Sequence, residues 1–390
     1  MLRVAILLAL WRAAASATLD YVSLSGSAPG AVCNDGTAAG FYFAAGANAS
    51  SLFLVFLESG GWCYDQTSCG KRSPDQTSSK NYPSTYTLAG IFDSTDERLA
   101  SANKVYVPYC TSDAYVGDRD GPVWPPAAAG VGAGAGAGNS VFQGGFHGAA
   151  VVAGVFADLR ARGLGSAAGA TEVLFAGFSA GGRGALFNCD AIGASLARAV
   201  PRLHYACFFD SAEWLDVEPY AAGSVSAATR SAAAFELFNA SGVIAANSPA
   251  CAAAYAADPW KCIFGEYALP FVSTPQWFLN TNLYDSYQLN TINGLPNGPP
   301  WTGAKLTYAE DFRAKMEATL AREVPGSDGF GAFAAACYAH GDTLSAKFTT
   351  VTVDGVSLEQ ALLSWYYNNA DAPRISIDAS AGGNGNPTCK

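Results

Sequence analysis

The sequence has few basic residues and very few histidines. Its 390 residues include 22 Lys and Arg against 32 Asp and Glu, which gives a formal net charge of -10. The basic residues are scattered and form no stripe, so we expect no nucleic-acid partner, because phosphate backbones are bound through clustered Lys and Arg. Only three histidines occur, at positions 147, 204 and 340, so any chemistry that needs an imidazole has three candidates.

The sequence also lacks an apolar run long enough to cross a bilayer, which takes about 20 residues. The N-terminal run from Val4 to Trp11 is shorter, follows Arg3 and precedes the small-x-small sequence Ala15-Ser16-Ala17. This arrangement is typical of a secretory signal peptide. We therefore expect residues 1–17 to be a signal peptide, the product to be secreted, and no stable membrane insertion.

Cysteine, in contrast, is plentiful. All ten cysteines follow the expected signal peptide, and an even number in an exported chain predicts disulfides. Spacing alone does not assign the pairs, apart from Cys251 with Cys262, which bracket a short polar helix-like segment. Asn48-Ala49-Ser50 and Asn239-Ala240-Ser241 are N-glycosylation sequons, so both asparagines are candidate glycan sites.

Apolar runs alternate with helical patterns along the chain. Helical spacing occurs at residues 148–162 and 181–199, and the runs that predict buried strands are 52–57, 104–109, 172–176, 205–209 and 276–280. Strand, helix and strand in repetition predict an α/β fold with a mostly parallel central sheet and helices on both faces. We expect residues 18–390 to form one domain, with a flexible Gly/Ala-rich insertion at about 121–139.

One serine lies in a sequence typical of an activated nucleophile. Ser179 is the centre of Gly177-Phe178-Ser179-Ala180-Gly181, between the strand that ends near Ala176 and the following helix. Gly-x-Ser-x-Gly alone is a weak signal in a glycine-rich chain, but the strand–turn–helix context is the setting of a nucleophile elbow. The alternative interpretation is a plain glycine-rich turn with a structural serine.

A serine nucleophile needs a base and an acid, which in this arrangement follow it in the order acid, then histidine. His147 precedes Ser179, and His204 leaves no room for an intervening acid, so His340 remains. Asp210 and Asp285 both follow strands, and position favours Asp285. The alternative roles for Asp210 are to line the pocket together with Ser211 or to cap a helix.

An oxyanion hole takes two or three backbone N–H groups that point at the developing charge. Ala180, directly after the nucleophile, is expected to supply one. The glycine-rich loop at residues 59–63 follows the first predicted strand and is the expected source of the others, and Trp62 is a candidate wall for the acyl pocket. The alternatives are a plain turn and a core aromatic.

Taken together, six blocks resemble the plant pectin acetylesterases and the similar Notum-like carboxylesterases. In chain order they are FLESGGWC at 56–63, VPYCTSD at 107–113, GFSAGG at 177–182, DSA at 210–212, YDS at 284–286 and CYAH at 337–340. The resemblance implies an α/β-hydrolase fold with Ser179, Asp285 and His340 as catalytic residues. It also implies that Gly61, Trp62 and Ala180 form the oxyanion hole.

The sequence departs from the plant pattern at three places. Ser59 replaces a glycine, Gly341 replaces a cysteine that often follows the histidine, and the insertion at 121–139 separates two pocket-forming segments. These departures bear on the substrate more than on the chemistry. Cys337 is a candidate to tether the His340 loop through a disulfide.

The resemblance implies a cofactor-free and metal-free serine esterase that removes acetyl groups from pectin or a related cell-wall polysaccharide, acting outside the cell or in the wall. Two alternatives remain: a Notum-like deacylase of a longer acyl chain on a protein, and a non-catalytic carbohydrate-binding protein on the same fold. A deep apolar pocket beside Ser179 would favour the former alternative. A shallow pocket bounded by Trp62 would favour an acetyl group as the acyl group that is removed.

Overall fold

The computed structural model describes residues 17–47, 50–124, 142–165, 171–200, 202–324, 329–369, 371–382 and 385–389. The first sixteen residues of the expected signal peptide, the sequon residue Asn48 and most of the insertion expected at 121–139 lie outside them. Within the described ranges, no helix is long and apolar enough to cross a membrane.

A ten-stranded sheet forms the centre of the fold, and two short ribbons flank it. The strands of the described residues are β1 (Ala17–Ser23), β2 (Gly40–Ala44), β3 (Leu52–Leu57), β4 (Thr85–Leu88), β5 (Asn103–Val107), β6 (Arg119–Asp120), β7 (Gly145–Phe146), β8 (Glu172–Phe178), β9 (His204–Asp210), β10 (Trp277–Asn282), β11 (Phe330–Ala335), β12 (Thr352–Val353), β13 (Val356–Ser357) and β14 (Ile375–Ile377). The large sheet has the order β14-β11-β10-β9-β8-β3-β5-β2-β1-β4, and the ribbons are β6-β7 and β12-β13.

The helices are α1 (Gln66–Cys69), α2 (Glu97–Ser101), α3 (Gly148–Ala161), α4 (Ala180–Ala199), α5 (Ala227–Leu237), α6 (Ser241–Asn247), α7 (Pro249–Ala254), α8 (Gly265–Ala268), α9 (Ala304–Glu323), α10 (Lys347–Thr350) and α11 (Leu358–Tyr366). A π-helical segment spans Tyr287–Ile292. Short 3-10 helices span Pro74–Gln76, Gly90–Phe92, Pro259–Ile263, Leu269–Phe271 and Pro387–Cys389.

Seven neighbouring strands of this sheet run parallel to one another, namely β14, β11, β10, β9, β8, β3 and β5. The remaining three, β2, β1 and β4, complete one edge through antiparallel pairs. The predicted strand at 104–109 ends at Val107 instead, because Pro108 has no N–H to donate to a neighbouring strand. Parallel strands bring their carboxyl ends to one edge of the sheet, where side chains from separate segments meet.

Both faces of the sheet are buried, which explains the continuous apolar run in β3. Its alternate residues enter two different cores, with Val55 and Leu57 in one and Leu54 and Phe56 in the other. Helices α3, α4 and α9 contribute to the first core, whereas α2, α10 and α11 contribute to the second. The predicted mostly parallel sheet with helices on both faces is confirmed.

All ten cysteines lie in described residues and all are paired. The disulfides are Cys33–Cys110, Cys63–Cys69, Cys189–Cys207, Cys251–Cys262 and Cys337–Cys389. The predicted Cys251–Cys262 pair is confirmed, and Cys337 tethers the segment before His340 to the C-terminal region. Asn239 is exposed, and its Nδ2 atom donates a hydrogen bond to the carbonyl oxygen of Asp118 (2.9 Å). Glycosylation of this sequon stays a prediction.

Candidate active site

Ser179 lies in a sharp turn at the carboxyl end of β8, directly before α4. Its backbone has φ 56° and ψ -113°, a left-handed conformation that residues other than glycine rarely adopt. The flanking glycines are required, because a Cβ atom on Gly177 would collide with the Gly181 carbonyl and one on Gly181 with the Leu57 carbonyl. The amide of Ser179 donates to the Asp210 carbonyl oxygen at 2.8 Å, which holds the turn against β9.

Three predicted site residues come together at this turn. The Ser179 Oγ atom lies 2.8 Å from His340 Nε2, and His340 Nδ1 lies 2.7 Å from Asp285 Oδ2. The other oxygen of Asp285 accepts a hydrogen bond from the backbone N–H of Gln288 at 2.8 Å. This chain of contacts is the geometry in which an imidazole takes the proton of a serine hydroxyl while a carboxylate orients the ring.

Adjacent parallel strands explain how residues far apart in sequence meet. Asp285 follows β10 and His340 follows β11, which pair directly in the sheet. The ring of His340 lies near two aromatic rings, with centroid distances of 5.2 Å to Phe178 and 5.1 Å to Tyr287. These contacts restrict rotation of the imidazole, so it stays aligned between the carboxylate and the hydroxyl.

The surroundings of His340 raise the pKa of its imidazole above the usual 6.5. Burial acts to lower that pKa, but it is outweighed by the charge and hydrogen bond of Asp285 and by the charge of Asp210. The charge of Arg183 acts in the opposite direction. The net shift stabilises the protonated ring that forms when the histidine accepts a proton.

Asp210, the other sequence candidate for the acid, makes no hydrogen bond to His340 and has a different task. One carboxylate oxygen accepts hydrogen bonds from Ser211 Oγ and Asn280 Nδ2. The other accepts from the backbone amides of Asp342 and Thr343, at 3.1 Å each, and from the Thr343 hydroxyl. Asp210 therefore fixes the segment that directly follows His340.

The other two histidines lie on elements that do not bring them to Ser179. His204 begins β9, at the opposite end of the sheet, and its Nε2 atom is 2.7 Å from Gln276 Oε1. His147 directly precedes α3, and its Nε2 atom is 3.7 Å from the carboxylate of Asp120. Neither is within the hydrogen-bonded chain at Ser179.

The predicted oxyanion loop lies beside this site. Gly60 and Gly61 have φ values of 156° and 66°, and Ala180 is the first residue of α4. Arg72 Nη1 donates to the Gly60 carbonyl oxygen at 2.5 Å and fixes the loop. Within the described part of the chain, the amides of Gly61, Trp62 and Ala180 make no backbone hydrogen bond outside the helices and strands. Their role as an oxyanion hole stays a prediction.

One residue that the sequence analysis did not single out is Arg183, one turn along α4 from Ser179. Its side chain is 0% exposed, and its guanidinium carbon lies 3.8 Å and 4.0 Å from the ring centroids of Trp62 and Trp214. None of its three side-chain nitrogens has a hydrogen-bond partner among the described residues. Burial lowers the pKa of the guanidinium to about 10, so it is charged at neutral pH.

Arg183 fills the space behind the predicted wall of the acyl pocket. The Trp62 ring also packs on Trp214 and Phe238, with centroid distances of 5.9 Å and 5.8 Å, and all of these side chains are buried. A lone arginine inside a helix gives no sequence signal for this role, because the two tryptophans come from distant loops. Within the described residues, no group of three or more His, Cys, Asp or Glu is arranged to hold a metal ion.

Known proteins share this sequence pattern and architecture. Human palmitoleoyl-protein carboxylesterase NOTUM is 29% identical over 356 residues, which cover 88% of this chain and 66% of the relative. Arabidopsis thaliana pectin acetylesterase 7 is 26% identical over 387 residues, covering 94% and 90%. The chain thus spans slightly less than two thirds of the human relative, but most of the plant one.

The structure of the Wnt deacylase Notum from Drosophila superposes with a TM-score of 0.79 at 25% identity, over 96% of this chain and all of that one. The fold is therefore that of the α/β hydrolases. The family pattern described as pectinacetylesterase matches residues 12–390. The chain therefore belongs to the pectinacetylesterase family.

Proposed function

We propose that the protein is a secreted esterase that removes acetyl groups from pectin or a related cell-wall polysaccharide. Ser179 Oγ attacks the acyl carbonyl while His340 Nε2 takes its proton and Asp285 holds the imidazole. The amides of Gly61, Trp62 and Ala180 hold the oxyanion until the sugar hydroxyl leaves with the proton from His340. Water, deprotonated by His340, then attacks the acyl-enzyme and releases acetate.

The observation that carries the acetyl assignment is the buried guanidinium of Arg183, which packs against the rings of Trp62 and Trp214. Side chains already occupy the space behind Trp62, and a desolvated cation there is a poor neighbour for a long alkyl chain. A two-carbon acyl group needs little room beside Ser179. Export is supported by five disulfides, which form and persist in oxidising compartments.

A second candidate is a deacylase of longer acyl chains on a protein. It is favoured by the relatives named palmitoleoyl-protein carboxylesterase and by the structural neighbour titled a Wnt deacylase. The two candidates share the chemistry at Ser179 and differ in acyl length. A third interpretation, a carbohydrate-binding protein without activity, is disfavoured by the aligned Ser179, His340 and Asp285 side chains.

The test measures acetate released from acetylated pectin and acetylated xylan by the purified chain and by Ser179→Ala. We expect Ser179→Ala to lose about 10³-fold or more in kcat, because the nucleophile acts as a unit with its base. Ser195→Ala, on the same helix, is the matched control and keeps full activity. Full activity in Ser179→Ala would contradict the mechanism, and no reaction of the native chain with a fluorophosphonate probe would favour the non-catalytic interpretation.

Acyl length is tested on 4-nitrophenyl esters from two to sixteen carbons. We expect kcat/KM to be highest for acetate and to fall steadily as the chain lengthens. A maximum at eight carbons or more would favour the long-chain deacylase. The same series on Ser179→Ala gives the background for each ester.

A further inference from the structure

A cavity of about 390 Å³ lies beside the oxyanion loop and has no part in the chemistry described above. We name it the tyrosine cavity, because its lining includes Tyr42, Tyr82, Tyr86, Tyr106 and Tyr109. Its volume is within the range of about 300–1,000 Å³ that small-molecule sites occupy.

Four of these tyrosines, Tyr42, Tyr82, Tyr86 and Tyr106, form a run of neighbouring rings that reaches solvent at Tyr86. Tyr86 is 37% exposed and stacks on Tyr106, with a centroid distance of 5.6 Å and an interplanar angle of 9°. The Tyr42 ring lies 5.2 Å from that of Tyr86. Aromatic rings of this kind offer an apolar face together with a polar edge. That combination suits a sugar ring, which has C–H groups on its faces and hydroxyls at its rim.

Polar side chains with both donors and acceptors complete the lining. Ser59, Gln76 and Asn81 offer hydroxyl and amide groups, and Asp75 offers a carboxylate. Asn81 and Asp75 are exposed, so these groups are open to a ligand from solvent. A ligand rich in hydroxyl groups can satisfy such a mixed set of donors and acceptors.

The charges of the cavity exclude one class of sugar. Glu58 and Asp75 are its two carboxyl residues, and no Lys, Arg or His lines it among the described residues. Burial raises the pKa of Glu58, so Asp75 is the carboxylate that faces a ligand from solvent. Nearby Arg72 does not line the cavity: its Nε and Nη1 atoms donate to Ser112 and Gly60, and its Nη2 atom is buried without a hydrogen-bond partner among the described residues. A uronate carboxylate would meet the carboxylate of Asp75 without a cation in the lining to pair with it, so the lining favours an uncharged sugar.

The cavity is joined to the active site by the oxyanion loop itself. Ser59 lines the cavity and stands two residues before Gly61. Gln76, also in the lining, donates from Nε2 to the Gly60 carbonyl oxygen at 3.3 Å, and Glu58 accepts from the Tyr109 amide at 2.7 Å. A chain of sugar residues that presents an acetyl group to Ser179 can therefore continue over the loop into the cavity.

We propose that the tyrosine cavity binds an uncharged pyranose residue of the acetylated polysaccharide, close to the residue whose acetyl group reaches Ser179. This inference rests on the proposed function and narrows it, since it assigns neutral sugars rather than free uronates to this subsite. The cavity then sets affinity for the polymer, and the Ser179 site sets the chemistry.

The experiment compares wild type and Tyr86→Ala on acetylated xylo-oligosaccharides and on 4-nitrophenyl acetate, an ester without a sugar. We expect KM for the oligosaccharides to rise about three- to tenfold, the effect of losing one aromatic contact, with kcat little changed. For 4-nitrophenyl acetate, kcat/KM stays within twofold, which also reports correct folding. Tyr367→Ala, at a tyrosine outside the cavity lining, is the matched control and leaves both substrates unaffected.

Asn81→Ala, at an exposed position, should also raise KM for the oligosaccharides but not for 4-nitrophenyl acetate. It replaces Tyr86→Ala if that variant does not fold. Asp75→Asn should reduce the difference in KM between acetylated xylo-oligosaccharides and acetylated oligogalacturonates. Unchanged KM values in Tyr86→Ala and Asn81→Ala, or a wild-type preference for the oligogalacturonates, would overturn the proposal.

Calorimetry separates this proposal from the proposed function. Ser179→Ala is titrated with unacetylated xylohexaose, mannohexaose, cellohexaose and hexagalacturonate. We expect binding of at least one neutral hexamer that Tyr86→Ala weakens, even if the enzyme releases no acetate from any polymer. Binding of hexagalacturonate alone, or of no neutral hexamer, would overturn the assignment of the cavity while leaving esterase activity at Ser179 unaffected.

Discussion

At the scale of single residues, the protonation of His340 sets the pH range of the reaction. Only the neutral imidazole takes the proton of Ser179, and Asp285 raises the pKa of His340 above 6.5 despite burial. We therefore expect kcat/KM for 4-nitrophenyl acetate to fall as the pH decreases, with a midpoint above 6.5. Asp285→Asn should move that midpoint to lower pH and reduce kcat by about 10³- to 10⁴-fold.

Asp210→Asn is the matched comparison, because Asp210 is also buried but bonds to the segment after His340 rather than to the ring. It should lower the melting temperature and move the midpoint less than Asp285→Asn does. An equal or larger loss of kcat in Asp210→Asn would contradict the assignment of the acid. Steady-state rates between pH 5 and 9 and thermal melts measure both effects.

The residues of the site differ in how far the sequence reveals them. The order of nucleophile, acid and histidine, with only three histidines present, leads to Ser179, Asp285 and His340, which the structure places in hydrogen-bond contact. Arg183 and the contacts of Asp210 could not be predicted, because each depends on partners from several loops. The position of Gly341 is also set by packing, since a Cβ atom there would collide with the Phe178 ring.

At the scale of elements, the Cys337–Cys389 disulfide links the end of β11, just before His340, to the C-terminal 3-10 helix. The bridge closes a loop with a sequence separation of 52 residues. Replacing both cysteines by serine should lower the free energy of unfolding by about 2–5 kcal/mol, because the unfolded chain regains freedom. Urea unfolding of the double variant measures this change.

The bridge at Cys251–Cys262 provides the control, since it closes a shorter loop of separation 11 away from the His340 segment. Loss of Cys337–Cys389 should also reduce kcat, whereas loss of Cys251–Cys262 should leave kcat nearly unchanged. Equal effects of the two double variants on kcat would mean that the first bridge does not position the histidine.

Sequence patterns predict the central strands that are rich in large apolar side chains, but not a central strand of small residues or the half-exposed edge of the sheet. The run at 52–57 matches β3, and the predicted strands at 172–176 and 205–209 lie inside β8 and β9. The sequence gives no strand signal for β11, because its Phe330–Ala335 sequence is mostly glycine and alanine and has no β-branched residue. The antiparallel edge also gives no such signal, because β1 lies half exposed.

At the scale of the whole molecule, the layer of α9 is joined to the sheet through a buried pair of carboxyl groups. Glu213, in the loop after β9, and Glu323, at the end of α9, are both buried. Burial and mutual repulsion raise the pKa of Glu213, and burial raises that of Glu323 to about 7. Glu266 adds negative charge, while Arg322 and Lys315 partly offset it.

This pair makes the stability of the fold depend on pH. Because the folded pKa values lie above the unfolded ones, the folded state binds more protons, and stability falls as the pH rises. We expect the free energy of unfolding to decrease by about 1–3 kcal/mol between roughly pH 4.5 and 7.5 from this source. Glu213→Gln, which cannot ionise, should flatten the decrease and be more stable than wild type at pH 8.

Urea unfolding at half-unit steps from pH 5 to 8 checks this expectation. Glu236→Gln, an exposed glutamate on α5, is the control and should keep the wild-type slope. If Glu213→Gln kept the wild-type dependence of unfolding free energy on pH, ionisation of Glu213 and Glu323 would not destabilise the fold. That result would contradict the prediction. If the slope flattens as expected, the packing of α9 is most stable under mildly acidic conditions. His340 acts as a base only at a pH above its raised pKa. The pH optimum for stability therefore lies below the pH optimum for catalysis.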